Sequence, residues 1–293
     1  LCYNAEFKQG DEYPAFWPEV AAKYGVEKAE AYLKAGLGCL PVQYGRDGLP
    51  IIGLLNPQAY MEKYLKELES SFDIRVLNPD ETNFDKAYIA EWAQKVKDQG
   101  INYVCGLAQK DSWHHALINR ELGHVSISSL AYLIAMNKFM QRTIEPKPFW
   151  FEPVDPMKES DEELAAKVTG ANEWPCMLKN TSLSLGRGVF RIKTAEQMNE
   201  ILTDYRGNET LQAGIQHTND SILQYFTESD SEYLAQPPIN GHVPPFLFEH
   251  CVDLSLGWIE YCYEGCITEE GELTHYGFTE ELYNTDAAGL AYI

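Results

Sequence analysis

Trp174-Pro175-Cys176-Met177-Leu178-Lys179-Asn180-Thr181-Ser182-Leu183-Ser184-Leu185-Gly186-Arg187-Gly188-Val189 reads as a strand ending on a lysine, then a loop of hydroxyls and glycines, then a second strand. Glycines let a backbone approach phosphate oxygens, hydroxyls donate hydrogen bonds to them, and a lysine at a strand end supplies a point charge. The stretch therefore suits a flexible phosphate cover. Taken alone it suits equally a β-hairpin with a polar glycine loop and an exposed lysine. The sequence on either side has to decide.

Upstream, the apolar run Leu49 to Leu55 is a strand, Met61, Tyr64, Leu65, Leu68 and Phe72 fall on one helical face, and Ile74 to Leu77 form a second strand. That is a β-α-β unit. A helix over Asp85 to Gln99, with Tyr88, Ile89, Trp92 and Val96 on its apolar face, stops at Gly100 and leads into the strand Ile101 to Leu107. Asp111 to Leu122 is a further helix. Strands alternating with helices at this spacing imply a mostly parallel sheet covered on both faces. A short strand, Val125 to Ser128, precedes a helix capped by Ser129 that runs to about Arg142 and carries Asn137-Lys138. Glu145 to Pro156 is rich in Pro and aromatics and reads as a hinge. Ser160 with Glu163 forms a capping box.

Downstream, Val189 to Ile192 is followed by a helix capped by Thr194, with Gln197 three residues on. Residues 207–245 are polar and Pro-rich and look like an insertion, after which strands return in Phe246 to Val252, Gly257 to Tyr263 and Leu273 to Phe278. Residues 1–48 read as an N-terminal extension, with one helical stretch near Pro18 to Lys34. The expected class is α/β, turning to α+β in the second half.

Composition narrows the function classes. The 293 residues, 45% of them hydrophobic, can bury a substantial core, about two domains' worth. A net charge of −21 repels phosphate backbones, so nucleic acid is not expected as a partner. A nucleotide site in such a chain needs a few cations placed locally against the global field. No run of about twenty apolar residues occurs, so no membrane is expected either. Seven cysteines without a Cys-x-x-Cys pair suit reduced thiols and a cytoplasmic setting, although the start at Leu1 leaves a removed leader open. Three Asn-x-Ser/Thr triplets, at Asn180, Asn208 and Asn219, decide nothing by themselves.

Other constellations are bland. His114 and His115 are adjacent on a helix, so their side chains diverge and cannot hold one metal as an i, i+4 pair would. Glu260 and Glu264 share a strand face without marking an acid–base pair. Gly-x-Ser-x-Gly, His-Glu-x-x-His and Gly-x-x-x-x-Gly-Lys-Ser/Thr are absent, and the turn after Leu55 reads Asn56-Pro57-Gln58 rather than a dinucleotide fingerprint.

From about residue 50 onward the order of elements resembles the ATP-grasp superfamily, of the carboxylate–amine ligase type. Ile101 to Arg142 resembles the exit of the pre-ATP-grasp domain, with Asn137-Lys138 where the family form is Asp-Lys. Lys179 follows Lys138 by 41 residues, a separation typical of the family's two phosphate-contacting lysines. Ser184 to Gly188 with Val189 to Ile192 resembles its glycine-loop hairpin. Phe246-Leu-Phe-Glu249-His250-Cys251-Val252-Asp253 resembles its interlobe strand.

The resemblance implies a Rossmann-like pre-ATP-grasp domain over 49–145 and an ATP-grasp domain over 146–293, with an apparently short C-terminal part. It implies that Lys138 and Lys179 contact ATP phosphates, and that Ser182, Ser184, Gly186 and Gly188 form their cover. Glu249, with the backbone of His250 and Val252, would hold adenine, and Asp253 would reach the ribose. The implied activity is ATP-dependent ligation of a small-molecule carboxylate to an amine, amino acids among them, through an acyl-phosphate. Implied cofactors are ATP and Mg2+, and a homodimer is common in such relatives. The family's metal ligands lie on strands downstream of the segment resembling Leu273 to Tyr283. Glu280 and Glu281 are the local acids here and read as a solvated surface. That motivates the alternative of a non-catalytic protein on the same fold, which binds a nucleotide or another flat ligand or serves as a scaffold.

Overall fold

The computed structural model describes residues 44–57, 65–67, 69–101, 103–106, 111–124, 126–146, 148–183, 187–252, 261–267 and 273–280. The proposed helix at Pro18 to Lys34 lies outside them; of the one at Met61 to Phe72, the described residues are helical at 65–67 and form a turn at 69–71. The described residues fall into two compact units. One takes those up to Ser126 with those from Tyr261 on, and the other takes Ile127 to Val252.

In the first unit, β1 (Ile51–Leu55) lies between β2 (Asp73–Leu77) and β3 (Val104–Gly106), and both pairings are parallel, with Ile51 opposite Asp73 and Gly53 opposite Val104. β1 is apolar throughout because it is the central strand. Helix α1 (Lys86–Asp98) buries Ile89, Ala93 and Val96, an i, i+4, i+7 stripe. Its end is a Schellman turn: Gly100 at φ +70° allows its N–H to reach Lys97 O at 2.8 Å and that of Ile101 to reach Val96 O at 3.0 Å. Helix α2 (Ser112–Glu121) buries Trp113, Ala116, Leu117 and Ile118. Asn119, also buried, donates to Val104 O at 2.9 Å and accepts from Val104 N at 3.0 Å, so its amide satisfies backbone groups of β3 that the sheet leaves open. The two adjacent histidines diverge as their spacing requires. The His114 Nε2 meets Asn83 O at 2.9 Å, whereas the His115 Nε2 meets the Tyr103 hydroxyl at 2.9 Å.

The second unit opens with two helices. α3 (Ser129–Met136) is capped by Ser128, whose hydroxyl accepts from Ala131 N, one residue before the cap expected from sequence. Residues 126–128 are not strand. Asn137 then breaks the expected single helix and starts α4 (Lys138–Ile144). The expected hinge contains a strand, β4 (Phe151–Val154). After α5 (Asp161–Ala171), opened by the Ser160–Glu163 capping box, come β5 (Cys176–Asn180) and β6 (Val189–Ile192). Helix α6 (Ala195–Arg206), capped by Thr194, leads into α7 (Glu209–Leu223) and α8 (Glu228–Leu234), so residues 207–245 are largely helical. β7 (Phe246–His250) closes an antiparallel sheet ordered β4-β7-β5-β6. The class is therefore mixed α/β, parallel in the first unit and antiparallel in the second.

Register gives this sheet two different faces. Leu178 lies opposite Phe248, and Asn180 opposite Phe246. Cys176, Leu178, Phe246 and Phe248 join Leu164, Val168, Met198, Leu202 and Ile215 in one core. Side chains alternate along a strand, so Met177, Lys179, Leu247 and Glu249 share the other face, and Phe151 of β4 lies opposite Glu249 on it. Burial among apolar groups pushes the Cys176 thiol up to about 12, with Cys251 and Glu173 adding to the effect, so it is an inert core residue. Tyr261–Ile267 and Leu273–Glu280 form an antiparallel hairpin, β8 and β9, with a register shift at Glu264/Gly265. No helix among the described residues is long and apolar enough to cross a membrane.

Candidate functional site

Lys179 and Glu249 are diagonal neighbours on the second sheet face, because Lys179 pairs with Leu247 and Glu249 with Met177. The lysine Nζ donates to Glu249 Oε1 at 3.0 Å. Arg142 comes to the same carboxylate from α4, with Nε to Oε2 at 3.2 Å and Nη2 to Oε1 at 3.3 Å. Its Nη1 also pairs with Glu145. The Glu249 side chain is only 11% exposed, so it depends on these two cations for its charge to be tolerated.

Lys138 stands beside them as the first residue of α4. Its main-chain N–H donates to Thr181 O at 2.9 Å, and its Nζ donates to Leu183 O. Burial holds its ammonium below the usual lysine pKa, the Lys179 charge adds to this, and Glu249 opposes it. Asn137 caps the helix as an acceptor, its Oδ1 taking the N–H of Phe139 at 3.1 Å and that of Met140 at 3.2 Å. Its Nδ2 adds a donor that reaches the Ser182 hydroxyl at 3.4 Å. Ser182 in turn donates to Asn219 Oδ1 at 3.2 Å, so α7 holds the start of the loop.

The loop is pinned at its root. Asn180 Oδ1 accepts from Ser182 N at 3.0 Å and Leu183 N at 2.9 Å, and Asn180 N donates to Gly188 O at 2.7 Å. Gly188 has φ +69°, and a Cβ on it would lie 2.7 Å from the Asn180 Cβ. Gly188→Ala is therefore expected to lose about 1–3 kcal/mol in urea unfolding. An unchanged midpoint would refute that account. Asn180 and Asn219 are both buried, which closes two of the three Asn-x-Ser/Thr triplets to glycosylation.

At the end of β7 the His250 Nδ1 meets Glu173 Oε2 at 2.7 Å, and its ring stacks on Phe149 with centroids 5.3 Å apart. The His250 N–H is taken by Trp150 O at 2.9 Å. Val252 is partly buried, with no polar contact among those described. Ser184, Gly186 and Asp253 lie outside the described residues, as do Glu260 and Glu281.

The structure thus brings Lys138, Lys179, Ser182, Gly188 and Glu249 to one region, with His250 one residue further along β7. Sequence reasoning did not single out Arg142, Asn180, Glu173 or Asn219. The one legible signal was that Arg142 follows Lys138 at i, i+4, which puts both on one face of α4. The donors fit a polyphosphate, since two ammonium groups and a hydroxyl converge beside a glycine-rooted loop. They do not fit a magnesium site. No group of three or more His, Cys, Asp or Glu able to hold a metal occurs among the described residues, and both Glu249 oxygens already serve cations.

No protein-family model matches the sequence, and a search of curated proteins finds no match. Solved structures do match. The chain is similar to an L-amino acid ligase from Bacillus licheniformis at 9% identity and TM-score 0.48, covering 83% of this chain and 51% of that one. It is similar to carboxyaminoimidazole ribonucleotide synthase from Aspergillus clavatus, complexed with ATP, at 16% identity and TM-score 0.46, covering 80% and 54%. A third is D-alanyl-alanine synthetase A from Vibrio cholerae, at 12% identity and TM-score 0.42, covering 83% and 72%. The chain spans about half the length of the first two.

Proposed function

We propose that this protein binds ATP through the second unit and uses it, with Mg2+, to join a small-molecule carboxylate to an amine, in the manner of an ATP-grasp ligase. The observation that carries the reading is that Lys179, bonded to the buried Glu249 carboxylate, and Lys138, 41 residues away in sequence, lie near enough for their charges to act on each other in a chain of net charge −21. Three cations, Lys138, Lys179 and Arg142, gather around two carboxylates, Glu249 and Glu145, so a positive charge is left over at this sheet face for an anion.

In this reading Lys138 and Lys179 hold the phosphates, and Ser182 with the Gly188-rooted loop covers them. Glu249, with the backbone of His250 and Val252, lies at the adenine side, and Asp253 reaches towards the ribose. Phosphoryl transfer is largely a matter of positioning and charge, so two fixed ammonium groups and a water-excluding loop are what the chain must supply. The substrate carboxylate oxygen would attack the γ-phosphorus of ATP, and ADP would leave, which converts the carboxylate into an acyl-phosphate. The amine, an amino acid among the candidates, then displaces phosphate. Mg2+ belongs to the proposal through the nucleotide alone, with no ligand assigned. A cytoplasmic location and a homodimer complete it.

Calorimetric titration with ATP, with and without magnesium, tests the site. Wild-type protein is expected to bind, and Lys179→Ala to bind about 10–100-fold more weakly, the worth of one charge-assisted hydrogen bond or slightly more. Equal affinities would remove Lys179 from the site. ADP release with pooled carboxylates and amino acids tests the chemistry. Binding without turnover would move the reading to a nucleotide-binding protein or scaffold.

A further inference from the structure

Glu249 has two cationic partners, and they are not equivalent. Lys179 reaches it with a single bond from a flexible stem on the neighbouring strand, whereas Arg142 holds both carboxylate oxygens with a planar fork from a helix. Lys179 is also the cation that the nucleotide reading requires at a phosphate. It cannot leave a buried carboxylate without consequence, because an uncompensated buried charge is strongly unfavourable. With Arg142 in place, Glu249 keeps a bidentate partner when the lysine departs. Glu145 does not compete for that fork, since it uses the remaining Nη1 of Arg142.

We infer that Arg142 is a positioning residue for nucleotide binding: it retains Glu249 so that Lys179 can exchange this carboxylate for a phosphate oxygen. The ion pair seen here is then the resting state, in which Glu249 stands in for the anion that the site is built to receive. The nearby Lys138, turned onto the Leu183 carbonyl, is likewise held by an acceptor of the protein's own. Removing Arg142 leaves Lys179 as the partner of Glu249, so the fold keeps a paired carboxylate while the lysine is locked in place.

This rests on the nucleotide reading, and the experiment separates the two. ATP is titrated calorimetrically into wild-type protein, Arg142→Ala, Arg142→Lys, Glu249→Gln and the Arg142→Ala/Glu249→Gln double variant, each checked for a native urea transition. Wild type is expected to bind, Arg142→Ala to bind about tenfold or more weakly, and Arg142→Lys to recover part of the loss. A neutral Gln needs no counter-ion, so the double variant is expected within about threefold of Glu249→Gln alone. A purely structural role for Arg142 would carry the same loss into the Glu249→Gln background, and that result overturns the inference. So does wild-type affinity in Arg142→Ala. Absence of binding in wild type overturns the nucleotide reading itself and takes the inference with it.

Discussion

Glu249→Ala is expected to cost about 3–5 kcal/mol of stability, more than Lys179→Ala or Arg142→Ala. The asymmetry follows from the count of partners. Either cation can be lost while the carboxylate keeps the other, but the loss of Glu249 leaves Lys179 without its carboxylate and Arg142 with Glu145 alone, at a site where their side chains are 21% and 23% exposed. Lys138, whose charge is already disfavoured by burial and by Lys179, loses the carboxylate that offsets this. Lys138 should then be still harder to protonate. Urea unfolding of the three single variants is the check. Equal losses in all three would mean that the carboxylate is only one member of a solvent-screened surface cluster and that the site is not organised around it.

The parts legible in sequence were those in which a local pattern has one physical outcome. A run as apolar as Ile51–Leu55 belongs in a strand buried on both faces. The Ser160–Glu163 capping box and the Gly100 stop are local chemistry, and both formed as read. Asn137 was not legible as a break, since apolar residues run continuously through Leu130 to Ala135 and a single helix satisfies them. What breaks the helix is tertiary: Lys138 N–H is given to Thr181 O, and the Asn137 amide is divided between the new helix and Ser182.

Helix α7 was missed for a different reason. Its apolar positions Leu211, Ile215 and Ile222 keep helical spacing, but Gly214, Thr218 and Asn219 dilute them. In the site, Lys138 and Lys179 were found by spacing within a family pattern, whereas Arg142 finds its partner 107 residues away. That meeting depends on the β5–β7 register, and a slip of one residue would have turned Glu249 to the other face. Sequence identifies the residue types of such a site well before it identifies which of them touch.

Acid is expected to loosen the first unit ahead of most carboxylate titration, with about 3 kcal/mol lost between pH 6.5 and about 4. Burial lowers the His115 pKa from 6.5 to about 4, and burial likewise lowers that of His114, opposed by its bond to Asn83 O and by Asp80 and Glu81. A histidine kept neutral in the fold binds its proton more readily when unfolded. Its contribution is therefore whole above pH 6.5 and falls away as the pH drops towards the folded value. Carboxylates such as Asp80, held below their ordinary range first by the Thr82 N–H, lose their contribution mainly at lower pH, so the two windows overlap only between about pH 5 and 4. His114 sharpens the effect because its Nδ1 is buried without a hydrogen-bond partner, and a proton placed there would be a charge with no acceptor. Hydrogen exchange of the α2 amides, corrected for intrinsic rates from pH 7 to 4, reads the loss locally. His115→Gln should flatten the profile over that window. An unchanged profile in His115→Gln would place the acid sensitivity elsewhere in the chain.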